Sequence, residues 1–169
     1  MNPTKSFKAR ISCQGKHVNF FPTCCTDSTC RSAAHTLDNM LAIGAPLGKQ
    51  PGMEIRFEST PSGYQLSLVD DERLGNDSLA FEHGYLGAFI RGRKPAATFL
   101  LQPMPQLETG GVFQAQLLSV GDNKPVGLKP READYIYRVA EIGKQIRDCP
   151  SLEGTAPVLF EFHISEVSA

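Results

Sequence analysis

Apolar and polar side chains alternate along residues 6–13, Ser-Phe-Lys-Ala-Arg-Ile-Ser-Cys, which is the period-2 pattern of a strand with one buried face. Gly15 provides a turn, and residues 17–21 pair back as a short second strand that Pro22 ends. Further on, Asp27 or Ser28 offers a helix N-cap, and Cys30, Ala33, Ala34, Leu37, Met40 and Leu41 recur at intervals of three and four. That spacing predicts a helix of about four turns. Gly44 stands where a C′ residue closes such a helix, and Pro46 stops its continuation. Residues 45–52 read as a loop.

Strand signals dominate the middle of the chain. Met53, Ile55 and Phe57 alternate with charged residues, Tyr64, Leu66 and Leu68 alternate with polar ones, and Thr60-Pro61-Ser62-Gly63 joins the two runs with turn chemistry. A polar loop over residues 70–77 follows. Residues 85–90 and 96–101 form a second predicted hairpin, linked by Arg91-Gly92-Arg93-Lys94-Pro95. Gly110-Gly111 leads into a strand over residues 112–120, and the turn 121–125 closes it. Pro130 fits the first position of a second helix, with Ile136, Val139, Ala140, Gly143 and Ile146 as its apolar stripe. Asp134 and Arg138 stand four apart on its outer side, and Pro150 ends it. A last strand runs over residues 158–164.

The expected fold is therefore α+β: one domain over residues 1–169, with a mainly antiparallel sheet of about five to seven strands and two amphipathic helices. Helices between consecutive strands, which parallel winding requires, are missing from residues 52–120.

Composition narrows the function classes. The chain has 169 residues, 41% of them hydrophobic and 21% charged, which is globular composition. Lys plus Arg number 17 against 18 Asp plus Glu, a net charge of -1, so bulk charge does not favour a nucleic-acid binder. The expectation is a protein partner and no membrane, since no apolar run approaches the roughly 18 residues of a span. The opening Met-Asn-Pro-Thr-Lys-Ser-Phe-Lys contains no apolar core of a signal peptide. Together with five cysteines, an odd number, this leads to the expectation of a cytoplasmic location with reduced thiols, signal-less export remaining compatible.

Four cysteines crowd the first 30 residues, and two histidines join them: Cys13, His17, Cys24, Cys25, Cys30 and His35. Thiolate and imidazole are zinc ligand types. No Cys-x2-Cys pair occurs, however, and buried cysteine commonly acts as a small hydrophobe. No cofactor is expected, and a zinc-stabilised interaction module is the minor alternative.

Phosphate-loop, dinucleotide, zincin and nucleophile-elbow motifs are absent from the sequence. One catalytic alternative survives. Cys24 or Cys25 precedes the first predicted helix, whose dipole favours a thiolate, and His163 alternates to the polar face of the last strand as a candidate base. This resembles the layout of papain-like hydrolases, without their residue signatures around either cysteine.

The leading expectation is a small regulatory protein, such as an inhibitor or accessory factor, that works by protein–protein contact. Its candidate contacts are the basic turn Arg91, Arg93 and Lys94, the adjacent aromatics Phe20 and Phe21 before a loop, and Tyr137, which falls off the buried stripe. Lys124, Lys129 and Arg131 extend the basic turn if they lie on the same edge.

Overall fold

Buried and outward side chains alternate beyond the first strand, over residues 54–58, 98–102, 114–119 and 160–165. A computed structural model describes residues 5–20, 41–46, 53–69, 78–89, 94–136, 142–154 and 156–168. Within them every regular element is a β-strand. The thirteen strands are β1 (Phe7–Cys13), β2 (Lys16–Phe20), β3 (Leu41–Pro46), β4 (Glu54–Thr60), β5 (Gly63–Leu68), β6 (Ser78–Glu82), β7 (Tyr85–Phe89), β8 (Thr98–Gln102), β9 (Val112–Ser119), β10 (Lys124–Pro125), β11 (Gly127–Ile136), β12 (Ile142–Ser151) and β13 (Phe160–Val167).

Six of them close a barrel in the order β1-β4-β5-β8-β9-β13, and β13 pairs back onto β1. Every one of these pairings is antiparallel. Closure leaves no unpaired edge in that ring. A register shift between Lys8 and Ala9, against β13, bends β1 around the curve as bulges do.

The interior is aromatic. Phe7 and Phe57 stack at 4.5 Å, Phe113 and Phe162 stack at 4.7 Å, and Phe57 meets Phe162 and Tyr64 edge-on. The Tyr64 hydroxyl donates to the Lys5 carbonyl at 3.2 Å, so its one polar atom is satisfied. A small barrel is filled by side chains. Towards the outer strands, the void bounded by Ile11, Leu66, Leu117 and Phe160 measures about 10 Å³, less than or about the space of one water.

The remaining strands grow from two handover points. On one edge of β1, the partner changes from β4 (Phe7 to Arg10) to β2 (Ser12 and Cys13). On one edge of β5, it changes from β8 (Tyr64 and Gln65) to β6 (Ser67). From there β2 carries β3, β6 carries β7, and β7 meets β12 at Tyr85↔Ser151. β3 lies against β12 and β7. Val18, Leu41, Leu79 and Leu86 from these added strands join the barrel core.

Among the described residues the fold is thus all-β, a closed barrel with added strands, and not the expected α+β with two helices. The second expected helix is overturned outright: residues 127–136 and 142–151 form a ten-pair antiparallel hairpin from Gly127↔Ser151 to Ile136↔Ile142. Of its expected stripe, Ile136 stands on β11 and Gly143 and Ile146 on β12, Ile146 being 63% exposed, while Val139 and Ala140 lie outside the described residues. Pro130 is tolerated there because β11 ends the sheet, and an edge strand can forgo one N–H.

The first expected helix fails at its end. Residues 41–46 are β3, Leu41 pairs with Phe20, and Gly44 lies within the strand. The rest of that prediction lies outside the described residues. The expected hairpin of residues 85–90 with 96–101 is also corrected: β7 pairs with β6 and β12, while β8 pairs with β5 and β9. The hairpin read over residues 53–68 is present, with Thr60 opposite Gly63 across its turn. No described helix is long and apolar enough to cross a membrane.

Candidate functional site

The β11–β12 ribbon sorts its charges by face. Residues paired across a ladder share a face, and neighbours along a strand alternate. Lys129↔Cys149 and Arg131↔Arg147 therefore occupy one side, and Pro130↔Asp148 and Glu132↔Ile146 the other. The first side carries three cations near the ribbon base. Acidic groups stand on the second.

Tyr85 fixes this base. Its backbone pairs with Ser151, and its ring lies 4.7 Å from the Arg131 guanidinium carbon and 5.8 Å from Lys129 Nζ. These are cation–π distances. The Tyr85 hydroxyl donates to the Pro130 carbonyl at 3.3 Å. The Ser151 hydroxyl donates to the Gly84 carbonyl at 3.0 Å and accepts from the Glu153 amide at 3.0 Å. Ser151 is fully buried, so this satisfied hydroxyl ties three segments together.

Lys129 Nζ donates to Glu153 Oε2 at 2.7 Å. That bond pushes the Lys129 ammonium above its ordinary range and the Glu153 carboxyl below its own. Arg131 and Arg147 differ from Lys129, since neither has a carboxylate partner among the described residues. The Arg147 Nε is moreover buried and without a hydrogen-bond partner. Two like charges directly opposite in a ladder oppose pairing, and an unmet buried donor adds a penalty of about 1–3 kcal/mol.

Of the residues singled out by sequence, Arg91, Arg93, Phe21, Tyr137, Cys24, Cys25, Cys30 and His35 lie outside the described residues. Lys94 is engaged: its Nζ sits 3.5 Å from Glu82 Oε1 and 5.0 Å from the Phe89 ring centre. It borders an open cleft of about 430 Å³ lined by both polar (Glu58, Gln65, Ser67, Ser78) and apolar (Leu66, Ala96) residues, where β5 passes from β8 to β6. Phe20 pairs with Leu41 in the β2–β3 ladder.

His163 is on the outer face of β13, opposite Arg10, with Nε2 2.7 Å from Glu161 Oε1. His17 stands opposite Ser12 on that same face. Burial, then His163 and Arg10, depress its imidazole pKa. Cys13 follows Ser12 and points the other way, into the core. Two of the residues proposed for zinc, Cys13 and His17, thus diverge, and no group of three potential ligands converges among the described residues.

Cys13 and Cys149 are both buried cysteines. The Cys13 Sγ donates to the Leu159 carbonyl at 3.7 Å. Burial, with a smaller contribution from Asp148, pushes its pKa from 9.0 up to about 11. At pH 8 its thiolate fraction is about 100-fold below that of an unperturbed thiol. Native iodoacetamide labelling of Cys13 is therefore expected to lag a denatured control by at least about that factor, read site by site by mass spectrometry. Equal rates would place Cys13 outside the core. The sign for stability follows: the stabilisation is complete below the unfolded pKa of 9.0 and fades as pH climbs towards about 11.

Sequence reasoning missed Tyr85 and Arg147 and attached Lys129 and Arg131 to a different basic turn. The available signal was Lys129-Pro130-Arg131, cations at a spacing of two. On a helix that spacing puts them on opposite sides, and on a strand it puts them on one face. No protein-family model matches the chain, and neither a curated protein nor a solved structure is detectably similar to it.

Proposed function

We propose that the protein is a binding protein that works by docking a protein partner on the β11–β12 ribbon, in the manner of a regulatory or accessory factor. The observation that carries this reading is the ribbon's division into a cationic face (Lys129, Arg131, Arg147) and an opposite face with Glu132, Asp148 and the exposed Ile146. An edge ribbon anchored on a closed barrel offers side chains of both strands to one partner without reorganising the core. Tyr137, a contact expected from the sequence, directly follows β11 in the chain. The packed barrel interior favours surface contact over carriage of a ligand inside.

The ribbon's charge pattern argues against nucleic acid. In sequence its two strands interleave Lys129, Arg131, Lys144 and Arg147 with Glu132, Asp134 and Asp148, whereas phosphate backbones select for continuous positive surface.

Proximity crosslinking in the native host, comparing wild type with Ile146→Asp and Arg131→Glu, tests the proposal. A partner recovered with wild type is expected to bind each variant at least about tenfold more weakly in a purified two-component titration. Val112→Asp, an exposed apolar position on β9, is expected to retain full affinity. Equal affinities for wild type and both ribbon variants would overturn the ribbon as the contact site.

A further inference from the structure

We propose that Arg131 and Arg147 together bind a phosphate dianion, presented as a phosphorylated side chain of the docking partner. The proposal rests on the docking reading above and names the chemistry that the ribbon recognises. Its basis is geometric. The two residues face each other across the β11–β12 ladder, so both guanidinium groups leave the same face. Arg131 is held in place by the Tyr85 ring at 4.7 Å. Arg147 is partly buried, with an Nε that finds no acceptor among the described residues.

Apposed arginines with no carboxylate partner among the described residues are a costly arrangement, and one bridging anion removes the cost. Guanidinium is a planar fork of donors that matches the oxygens of phosphate, and each charge-assisted bond is roughly twice as strong as a neutral one. The charge count selects among anions. Lys129 is already neutralised by Glu153 at 2.7 Å, which leaves two positive charges facing each other. A phosphate monoester carries about two negative charges at pH 7, whereas a carboxylate carries one and would leave the pair half compensated. The buried Nε also needs an acceptor that reaches into the ladder, and a tetrahedral group offers one oxygen inwards while two others meet the outer guanidinium nitrogens.

The test uses the full chain, with each arginine Nε–H resolved by 15N NMR. The probes are inorganic phosphate, a capped phosphoserine, phosphate-free capped serine and acetate. Capped phosphoserine is expected to shift the Arg147 Nε–H and the Arg131 Nε–H saturably. Its affinity should exceed that of acetate by at least about tenfold and should fall when the pH drops below about 6, where the dianion gains a proton.

Arg147→Gln and Arg131→Gln should each weaken binding by about tenfold or more. Arg147→Lys keeps the charge and the solubility of the strand but loses the fork, and is expected to lie between wild type and Arg147→Gln. Lys16→Gln, remote on β2, should change nothing.

Several results would overturn the proposal: acetate binding as tightly as phosphoserine, an unchanged affinity in Arg147→Gln, or no shift of either Nε–H. Strong binding of inorganic phosphate without binding of capped phosphoserine would reject the phosphorylated side chain as its source. Failure of the docking reading is separable. In that case phosphoserine still binds, while crosslinking yields no partner that depends on the ribbon.

Discussion

Replacing Phe57 by alanine is expected to destabilise the protein by about 3–5 kcal/mol, the range for emptying a buried phenylalanine site. Phe57 has no solvent exposure. It stacks on Phe7 at 4.5 Å with an interplanar angle of 4°, and meets Tyr64 at 6.1 Å and Phe162 at 5.7 Å edge-on. Those rings come from β1, β5 and β13, so one side chain ties β4 to both of its neighbours and to β13 in the closed ring.

Each aromatic pair adds roughly 0.5–1.5 kcal/mol beyond the apolar area buried. The cavity cannot collapse easily, because a closed ring of strands fixes the distances across it. Total stability for such a chain is on the order of 5–15 kcal/mol, so about a fifth or more is at stake. At about 2–4 °C per kcal/mol for this chain length, the melting midpoint should fall by about 6–20 °C. Val112→Ala, at a position 57% exposed on β9, provides the contrast and should stay within about 0.5 kcal/mol of wild type. A Phe57→Ala midpoint within 2 °C of that control, on the scale of about 2–4 °C per kcal/mol, would mean that this ring does not stand in the core.

The same alternation that buries Phe57 is what made much of the barrel legible. Along β4, β9 and β13 and the first half of β1, buried residues alternate with more exposed ones, so the period of two is written in their residues. β5 alternates in sequence but is buried everywhere except Gln65. The β4–β5 hairpin was readable to its register, because Thr60-Pro61-Ser62-Gly63 supplies turn chemistry between two alternating runs.

Partner choice was not readable. β1 takes partners from β13, β4 and β2, and closing a ring between residues about 150 positions apart leaves no local signature. β7 and β8 are consecutive and each strand-like, yet β5 recruits one and β6 the other. The β11–β12 ribbon failed for a different reason. Both of its faces carry charged residues, so no period-2 apolar stripe exists. Scattered apolar residues at 136, 139, 140, 143 and 146 then imitate a helix. β-branched and aromatic enrichment around Tyr135 and Ile136 was the better guide. The site shared that fate, since Arg131 and Arg147 meet only through the register of a hairpin whose strands were read as one helix.

That register depends on a backbone contact at the ribbon base, and Gly154→Ala is expected to break it. A Cβ on Gly154 would lie 2.6 Å from Gly127 Cα, 2.6 Å from Leu128 N and 2.7 Å from Gly127 C. All three are backbone atoms at the start of β11, so no side-chain rotation relieves the overlap. A Cβ on Gly127 would in turn meet the Ala156 carbonyl oxygen at 2.6 Å, in the segment where Gly127 bridges Pro157. Either the 151–154 turn or the first residues of β11 must move.

Over-packing of this kind costs about 1–3 kcal/mol, and backbone-on-backbone overlap places Gly154→Ala at the upper end. The turn it displaces carries Ser151, bonded to Gly84 at 3.0 Å, and Glu153, bonded to Lys129 at 2.7 Å. Displacement therefore reaches Tyr85 and, through its ring, Arg131. The expected result is a loss of about 3 kcal/mol in denaturant unfolding and faster amide hydrogen exchange along β11 and the start of the ladder. The weakening of phosphoserine binding should exceed what global unfolding explains. Gly121→Ala, where an added Cβ meets nothing within 4 Å, is the matched control and should change neither stability nor binding. If Gly154→Ala behaves like Gly121→Ala, the close approach of the two backbones does not hold the ribbon. The geometry that sets the two arginines side by side would then need another anchor, for which Ser151→Ala is the next variant to measure.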